Sequence, residues 1–382
     1  MRIGWAIMTV GCFGSVREMV EISNALIARG HSVTIYHLTG GPVVWLPSRA
    51  QTGTLEQAEA ADLDILIGFP EFTVPRVFHT LEAARAKLKA VVAAGFTPSP
   101  DLAATLRGAQ APTAKDIRRL RDAVWSYWLL PDSDWQRDWF RDSVGIETGP
   151  GWAGVNLEQF RPIHIKRGNK LRIAWSGDPR TRKGADTVEA ALALVRGEEP
   201  EIETDSYWGK RIPQADLAEW ICRANIFVDG HRRAGWCNPV AEAMACGVAT
   251  VCTDIPATRM IAQHEQTALV VPTDDPEAMA AAVVRLLRDR PLRLALRRTA
   301  MERIAAYSYP LMAERLEQAL EAKLNAFSLA RSEDGREQPD HAAKAPVWGG
   351  VREAPKLATN DADEMASGLG AVEAEDLPER AL

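Results

Sequence analysis

What the 382-residue chain lacks closes off several classes of protein. It has five cysteines, Cys12, Cys222, Cys237, Cys246 and Cys252, with no Cys-x-x-Cys pair and no histidine at ligand spacing. A scattered, odd set reads as reduced thiols, which removes a disulfide scaffold and a zinc site. No apolar run approaches the ~18 residues needed to span a bilayer. Residues 1–10 are apolar, but they are few and lack a small-residue cleavage site, so they read as a first strand rather than a signal peptide. Charge of one sign is missing as well. Residues 331–382 hold 12 acidic and 6 basic side chains, and the rest of the chain carries 39 of each. A neutral folded part argues against a nucleic-acid partner.

The length gives a prior of about two domains of ~100–200 residues each. Residues 2–9 read as a strand that runs through Gly11 and Gly14 into a helix. Ser15 and Glu18 have capping-box spacing there, and Val16, Met19, Val20, Ile22, Leu26 and Ile27 form an apolar face. Gly30 ends the helix, and residues 31–36 alternate as a second strand. In such a unit Gly14 lets a ligand approach the backbone, with a plain tight turn as the competing reading. A dinucleotide site is disfavoured: Gly-x-Gly-x-x-Gly is absent, and no Asp or Glu closes the second strand.

Strands at 63–67 and 88–94 continue an α/β alternation. Residues 103–122 read as helical and basic, with Arg107, Lys115, Arg118, Arg119 and Arg121. Trp125, Tyr127, Trp128, Trp135, Trp139 and Phe140 follow. Core packing is the first reading of these aromatics; a membrane-facing edge or stacking on an acceptor sugar is the second.

In the second half, a strand at 171–176 leads into Gly177-Asp-Pro-Arg-Thr-Arg-Lys-Gly184 and a helix from about Asp186. Arg180, Arg182 and Lys183 between two glycines suit a phosphate cradle, against solvated charge as the alternative. Strand and helix signals then alternate through 202–207, 215–223 and 225–229. The strongest signal follows. Asn238-Pro239 marks a helix start, with Asn as a cap and Pro where no N–H is needed. The free amides and positive dipole end, with Val240 in the first turn, favour an anion such as phosphate. Glu242 lies close by, able to accept two ligand hydroxyls. Gly247 closes the helix, and residues 248–252 read as a buried strand. The preceding loop carries His231, Arg232 and Arg233, the arginines reading as solubility or added phosphate contact. Helices are expected at 275–289, 292–306 and 311–327, and the tail has the composition of a disordered segment.

The run NPVAEAMACGVATVCTD resembles the donor-binding signature of the retaining, GT-B-fold glycosyltransferases of family 4 (group 1). That pattern is a Glu, seven residues, a second Glu, then Ala-Met-Ala-x-Gly. The second Glu falls on Glu242 and the first on Ala234. Lys183-Gly184 match a Lys-Gly pair of the family, whose earlier Arg falls on Asp178, so Arg180 or Arg182 must substitute. Gly154-Val-Asn156 resembles the link between the family's domains.

The resemblance implies an α/β fold with two Rossmann-like doubly wound domains facing across a cleft. It divides the chain into an acceptor-side domain (1–154), a nucleotide-sugar-binding domain (155–310), a helix returning to the first domain (311–330) and a disordered acidic tail (331–382). The implied activity moves a sugar from a nucleoside diphosphate to a glycan, glycolipid or protein acceptor, with retention, without metal and with no cofactor beyond the donor substrate. Arg182 and Lys183 would meet the charge of the leaving diphosphate, while Gly14, Gly177, Arg180, Asn238, Pro239, Val240 and Glu242 would hold the donor. The implied location is cytoplasmic, with peripheral contact to the inner face of the membrane through the N-terminal domain. A non-catalytic nucleotide-sugar-binding or scaffold protein of the same fold is the alternative, because Ala234 has no carboxylate and no histidine follows residues 88–94. His79 reads as structural.

Overall fold

Short apolar runs bounded by glycine or charge become strands, and the longer periodic segments between them become helices. The computed structural model describes residues 1–69, 75–93, 100–107, 126–165, 170–210 and 212–333. The first sheet contains β1 (Arg2–Ile7), β2 (Ser32–His37), β3 (Gln51–Thr54), β4 (Ile65–Phe69), β5 (Leu88–Ala93) and β6 (Trp128–Pro131). Its order is β3-β2-β1-β4-β5-β6 and every pair is parallel. Helices α1 (Gly14–Ala28), α2 (Leu55–Ala60), α3 (Arg76–Ala83), α4 (Pro100–Leu106) and α5 (Asp134–Trp139) intervene. Central β1 is covered on both faces, so Ile3, Trp5 and Ala6 are all buried, as a parallel sheet requires.

One local expectation is corrected. Phe13, not Ser15, stands before α1, and no side chain caps that helix; Glu18 is engaged elsewhere. Polar β3 and aromatic β6 carry no apolar alternation, yet both form as edge strands. Pro131 closes β6 at the edge, where a missing N–H is tolerated.

The second sheet contains β7 (Arg172–Trp175), β8 (Glu203–Ser206), β9 (Ile226–Asp229), β10 (Ala249–Thr253) and β11 (Leu269–Val271), in the order β11-β10-β9-β7-β8, again all parallel. Around it lie α6 (Ala185–Glu198), α7 (Leu217–Cys222), α8 (Asn238–Ala245), α9 (Pro256–Arg259), α10 (Pro276–Arg288) and α11 (Arg290–Ile304). The last helix, α12 (Tyr309–Glu333), packs against α1. Its Met312, Ala313, Leu316 and Leu320 share one buried cluster with Trp5 and Met19.

The two chain crossings between the sheets run side by side. Val155 bridges Ser308, and its N–H donates to the Tyr307 carbonyl at 2.9 Å. Gly154 is required there, since a Cβ would stand 2.5 Å from the Tyr307 oxygen. Among the described residues no helix is long and apolar enough to cross a membrane. The acidic tail from residue 334 onward lies outside the described residues.

Candidate functional site

In doubly wound sheets, ligands gather beyond the carboxyl ends of the strands. Here those ends bring α1, the loop after β6, the loop after β7 and the start of α8 together.

At α8, Cys237 occupies the capping position without a side-chain hydrogen bond, and Asn238 and Pro239 are the first helical residues. This corrects the expectation that Asn238 caps the helix. Its amide Nδ2 donates instead to the carboxylate of Glu18 on α1. Gly14 faces the same amide, and a Cβ on it would come 3.4 Å from Asn238 Nδ2. Glu242, 3% exposed, is ion-paired with Arg17 of α1. Burial pushes the Glu242 carboxyl up to about 7 against the pull of Arg17. Glu18 is likewise pushed up to about 7 by burial, opposed by its bond to Asn238. Val240 is fully buried behind this start. Arg17, Glu21, Asn156, Phe160, Asn238 and Tyr309 help to line a small recess beside Glu242.

The loop after β7 brings in the cations. Gly184 has φ +62°, and a Cβ on it would stand 1.9 Å from the Gly230 carbonyl oxygen. Only glycine permits that backbone conformation and that approach together. Lys183 Nζ lies 2.7 Å from His231 Nε2, and His231 Nδ1 lies 2.8 Å from Asp229 Oδ1 at the end of β9. Burial and the adjacent Lys183 ammonium hold His231 below its usual value, although Asp229 opposes them. The neutral ring therefore donates from Nδ1 to Asp229 and accepts at Nε2 from lysine. Asp229 stays below the usual carboxylate range, because His231 and Lys183 outweigh the effect of its burial. Lys183 falls to about 8, through burial first and Arg182 second.

Cys237 Sγ completes this group, 3.8 Å from His231 Nδ1. The ligand atoms of Asp229, His231 and Cys237 all lie within 4.8 Å of one another. Chain spacing did not mark these three residues as a group; the fold brings them together. The signal available was Asp229-x-His231 with a cysteine in the same loop. Lys183 already presents its ammonium to His231 Nε2.

The other predicted cations are placed differently. Arg180 turns onto Asp178, with Nε 3.0 Å from Oδ1, and lies over the Trp208 ring at 5.7 Å. Gly177, φ +74°, packs against Ser206 on that same side. The Arg182 carbonyl accepts from the Arg232 N–H at 2.9 Å. Arg232 joins this loop to its neighbours through Thr181 O, Asp186 and Asp274.

Across from them, β6 ends at Asp132 and Ser133. Ser133 Oγ and Trp135 Nε1 both donate to the Gly235 carbonyl, at 2.7 and 2.8 Å. Trp135 therefore ties the loop before α8 to the first sheet, while Trp139 packs edge-on against Phe140. Of the basic segment, Arg107 donates to the Ser143 carbonyl, and the residues from 108 to 125 lie outside those described. His79 is exposed on α3, away from the site. The sequence grouped Gly177, Arg180 and Arg182 with Gly14, Lys183, Asn238, Pro239, Val240 and Glu242; the fold sets Arg180 against Asp178, and Arg17, Glu18, Asp132, Asp229 and His231, which no sequence pattern marked as site residues, stand among them.

Residues 154–289 match the family model described as Glycosyl transferases group 1. A stretch of 212 residues is 33% identical to the phosphatidyl-myo-inositol mannosyltransferase of Mycolicibacterium smegmatis, covering 48% of this chain and 54% of that one. Another of 175 residues is 28% identical to the lipopolysaccharide core biosynthesis mannosyltransferase LpsB of Rhizobium meliloti, covering 36% and 50%. The matched stretches span about half the length of these curated relatives. In fold, the chain is similar to sucrose-phosphate synthase from Thermosynechococcus elongatus, with TM-score 0.64 at 16% identity over 85% of this chain and 99% of that one. The architecture is the GT-B arrangement of two Rossmann-like sheets.

Proposed function

We propose that this protein transfers a sugar from a nucleoside diphosphate donor to a glycan or glycolipid acceptor. The observation that carries the reading is the Asp229–His231–Lys183 chain, which fixes an ammonium beside the amide-bearing start of α8. Breaking a sugar–phosphate bond leaves negative charge on the diphosphate, and preset donors lower the barrier to that charge. Lys183, Arg182 and the first amides of α8 fill this role. The reading assigns it to protein cations rather than to a metal ion. Retention of configuration rests on the resemblance of the α8 segment to the family 4 signature. The names of the two mannosyltransferases favour a lipid-linked acceptor, and contact with the inner face of a membrane is part of this proposal.

The test is calorimetric binding of UDP and GDP to the full chain, followed by transfer from the matching hexose donors to lipid-linked or soluble glycan acceptors. Expected are nucleoside diphosphate binding that is lost in Lys183→Ala, and sugar transfer by the wild type. One observation favours a second reading, a donor-binding protein without turnover: the Glu242 carboxylate is already held by Arg17. Binding with neither transfer nor donor hydrolysis would establish that second reading.

A further inference from the structure

Asp132 follows β6 directly and stands at the carboxyl end of the first sheet, opposite the loop that enters α8. It is 7% exposed, and its Oδ1 has no hydrogen-bond partner among the described residues. Its other oxygen faces Gly235 so closely that a Cβ there would lie 2.4 Å from Oδ2. The adjacent Ser133 and Trp135 both spend their donors on the Gly235 carbonyl, so neither serves Asp132. The charged group acting on it is Glu18, of the same sign, and burial with that repulsion pushes the Asp132 carboxyl well up. A buried acceptor with no donor is costly to keep. Its persistence beside the loop that enters α8 calls for a ligand that brings donors of its own.

The arrangement also says what those donors are. Glu18 places negative charge beside Asp132 and disfavours an anionic group there, whereas the Lys183 ammonium suits phosphate. The two groups thus suit different partners, Lys183 an anion and Asp132 a neutral group that carries donors. A molecule with a diphosphate at one end and a neutral hydroxyl-bearing ring at the other matches both sides. A carboxylate accepts from two hydroxyls at once, and a protonated carboxyl donates to one.

We propose that Asp132 is the sugar-hydroxyl subsite of the cleft, a binding residue that holds the hexose ring of the donor while Lys183 holds its diphosphate. The proposal rests on the sugar-transfer reading above and deepens it by naming the group that reads the sugar.

The experiment measures, by calorimetry on the full chain, affinities for UDP and UDP-glucose and for GDP and GDP-mannose, in wild type, Asp132→Asn and Asp132→Ala. For the pair that binds, the ratio of sugar-nucleotide to nucleotide affinity should fall by about tenfold in both variants, the scale of one hydrogen bond. Affinity for the bare nucleotide should stay within about twofold. Melting temperature should hold or rise, since an unpaired buried carboxylate is removed. A structural role would lower it. Deoxy-hexose donors supply a second readout: one missing hydroxyl should weaken wild-type binding about tenfold and leave Asp132→Asn unchanged. An unaltered affinity ratio in both variants, with wild-type binding intact, overturns the subsite and leaves the transferase reading standing. Failure of the wild type to bind either pair overturns both.

Discussion

Arg17 of α1 and Glu242 of α8 form a buried ion pair between residues 225 positions apart. It joins the helix behind the first strand to the helix that opens the second sheet's ligand face. Neighbouring Glu18 reaches the same helix start through Asn238, so two consecutive residues of α1 grip α8.

Arg17→Met should leave the Glu242 charge buried without its partner and destabilise the protein by ~3–5 kcal/mol at pH 8. The loss should shrink at pH 6, where a carboxyl already raised to about 7 takes up a proton. The sign follows from linkage. The folded state keeps protons that the unfolded chain gives up between its ordinary carboxylate value and about 7, so these groups favour the fold less as pH rises through that window. Urea unfolding at the two pH values checks this, and a pH-independent loss would contradict it.

Glu18→Gln removes a carboxylate from the start of α8, where a diphosphate is expected to dock. Nucleotide binding should tighten about three- to tenfold at pH 8, since a like charge no longer opposes the ligand. Little change is expected at pH 6, where Glu18, with its value near 7, is largely protonated. Titration calorimetry at both pH values separates these outcomes.

Nucleoside diphosphate affinity should fall as pH rises through about 8, because Lys183 then loses its charge. The Asp229 carboxylate favours the lysine ammonium, so Asp229→Asn should move this falling limb to lower pH. A pH profile of the dissociation constant that keeps its position in the variant would rule out the relay.

Gly184→Ala places a methyl where 1.9 Å separates it from the Gly230 oxygen, in a left-handed backbone. A loss of about 3 kcal/mol or more is expected, readable as a lower melting temperature together with weaker nucleotide binding.

Much of this was legible in the residues, and the exceptions share a cause. Buried β1, β9 and β10 announce themselves as apolar runs, and Asn238-Pro239 marks where α8 begins. Periodicity sees one element at a time. It assigned Glu18 to a local capping box because Ser15 precedes it by three, whereas a partner 220 positions away takes its carboxylate. Arg17 carried no signal for the same reason. Asp132 and Ser133 followed a cluster of aromatics that masked the short edge strand β6. Asp229 and His231 were in plain view but belonged to no recognised pattern, and only the lysine loop folding back past Gly230 gave them a role.

The seating of α12 on α1 sets an order of assembly. Leu316 and Leu320 complete the apolar cluster around Trp5 and Met19, so the half of the molecule made first on the ribosome cannot finish its core until the final helix has left the exit tunnel. The second sheet, flanked by α6 to α11, is released earlier and has no such wait. Chains that end at Ser308, once free of the tunnel, should therefore hold a structured later half beside an earlier half whose greasy face is a target for chaperones.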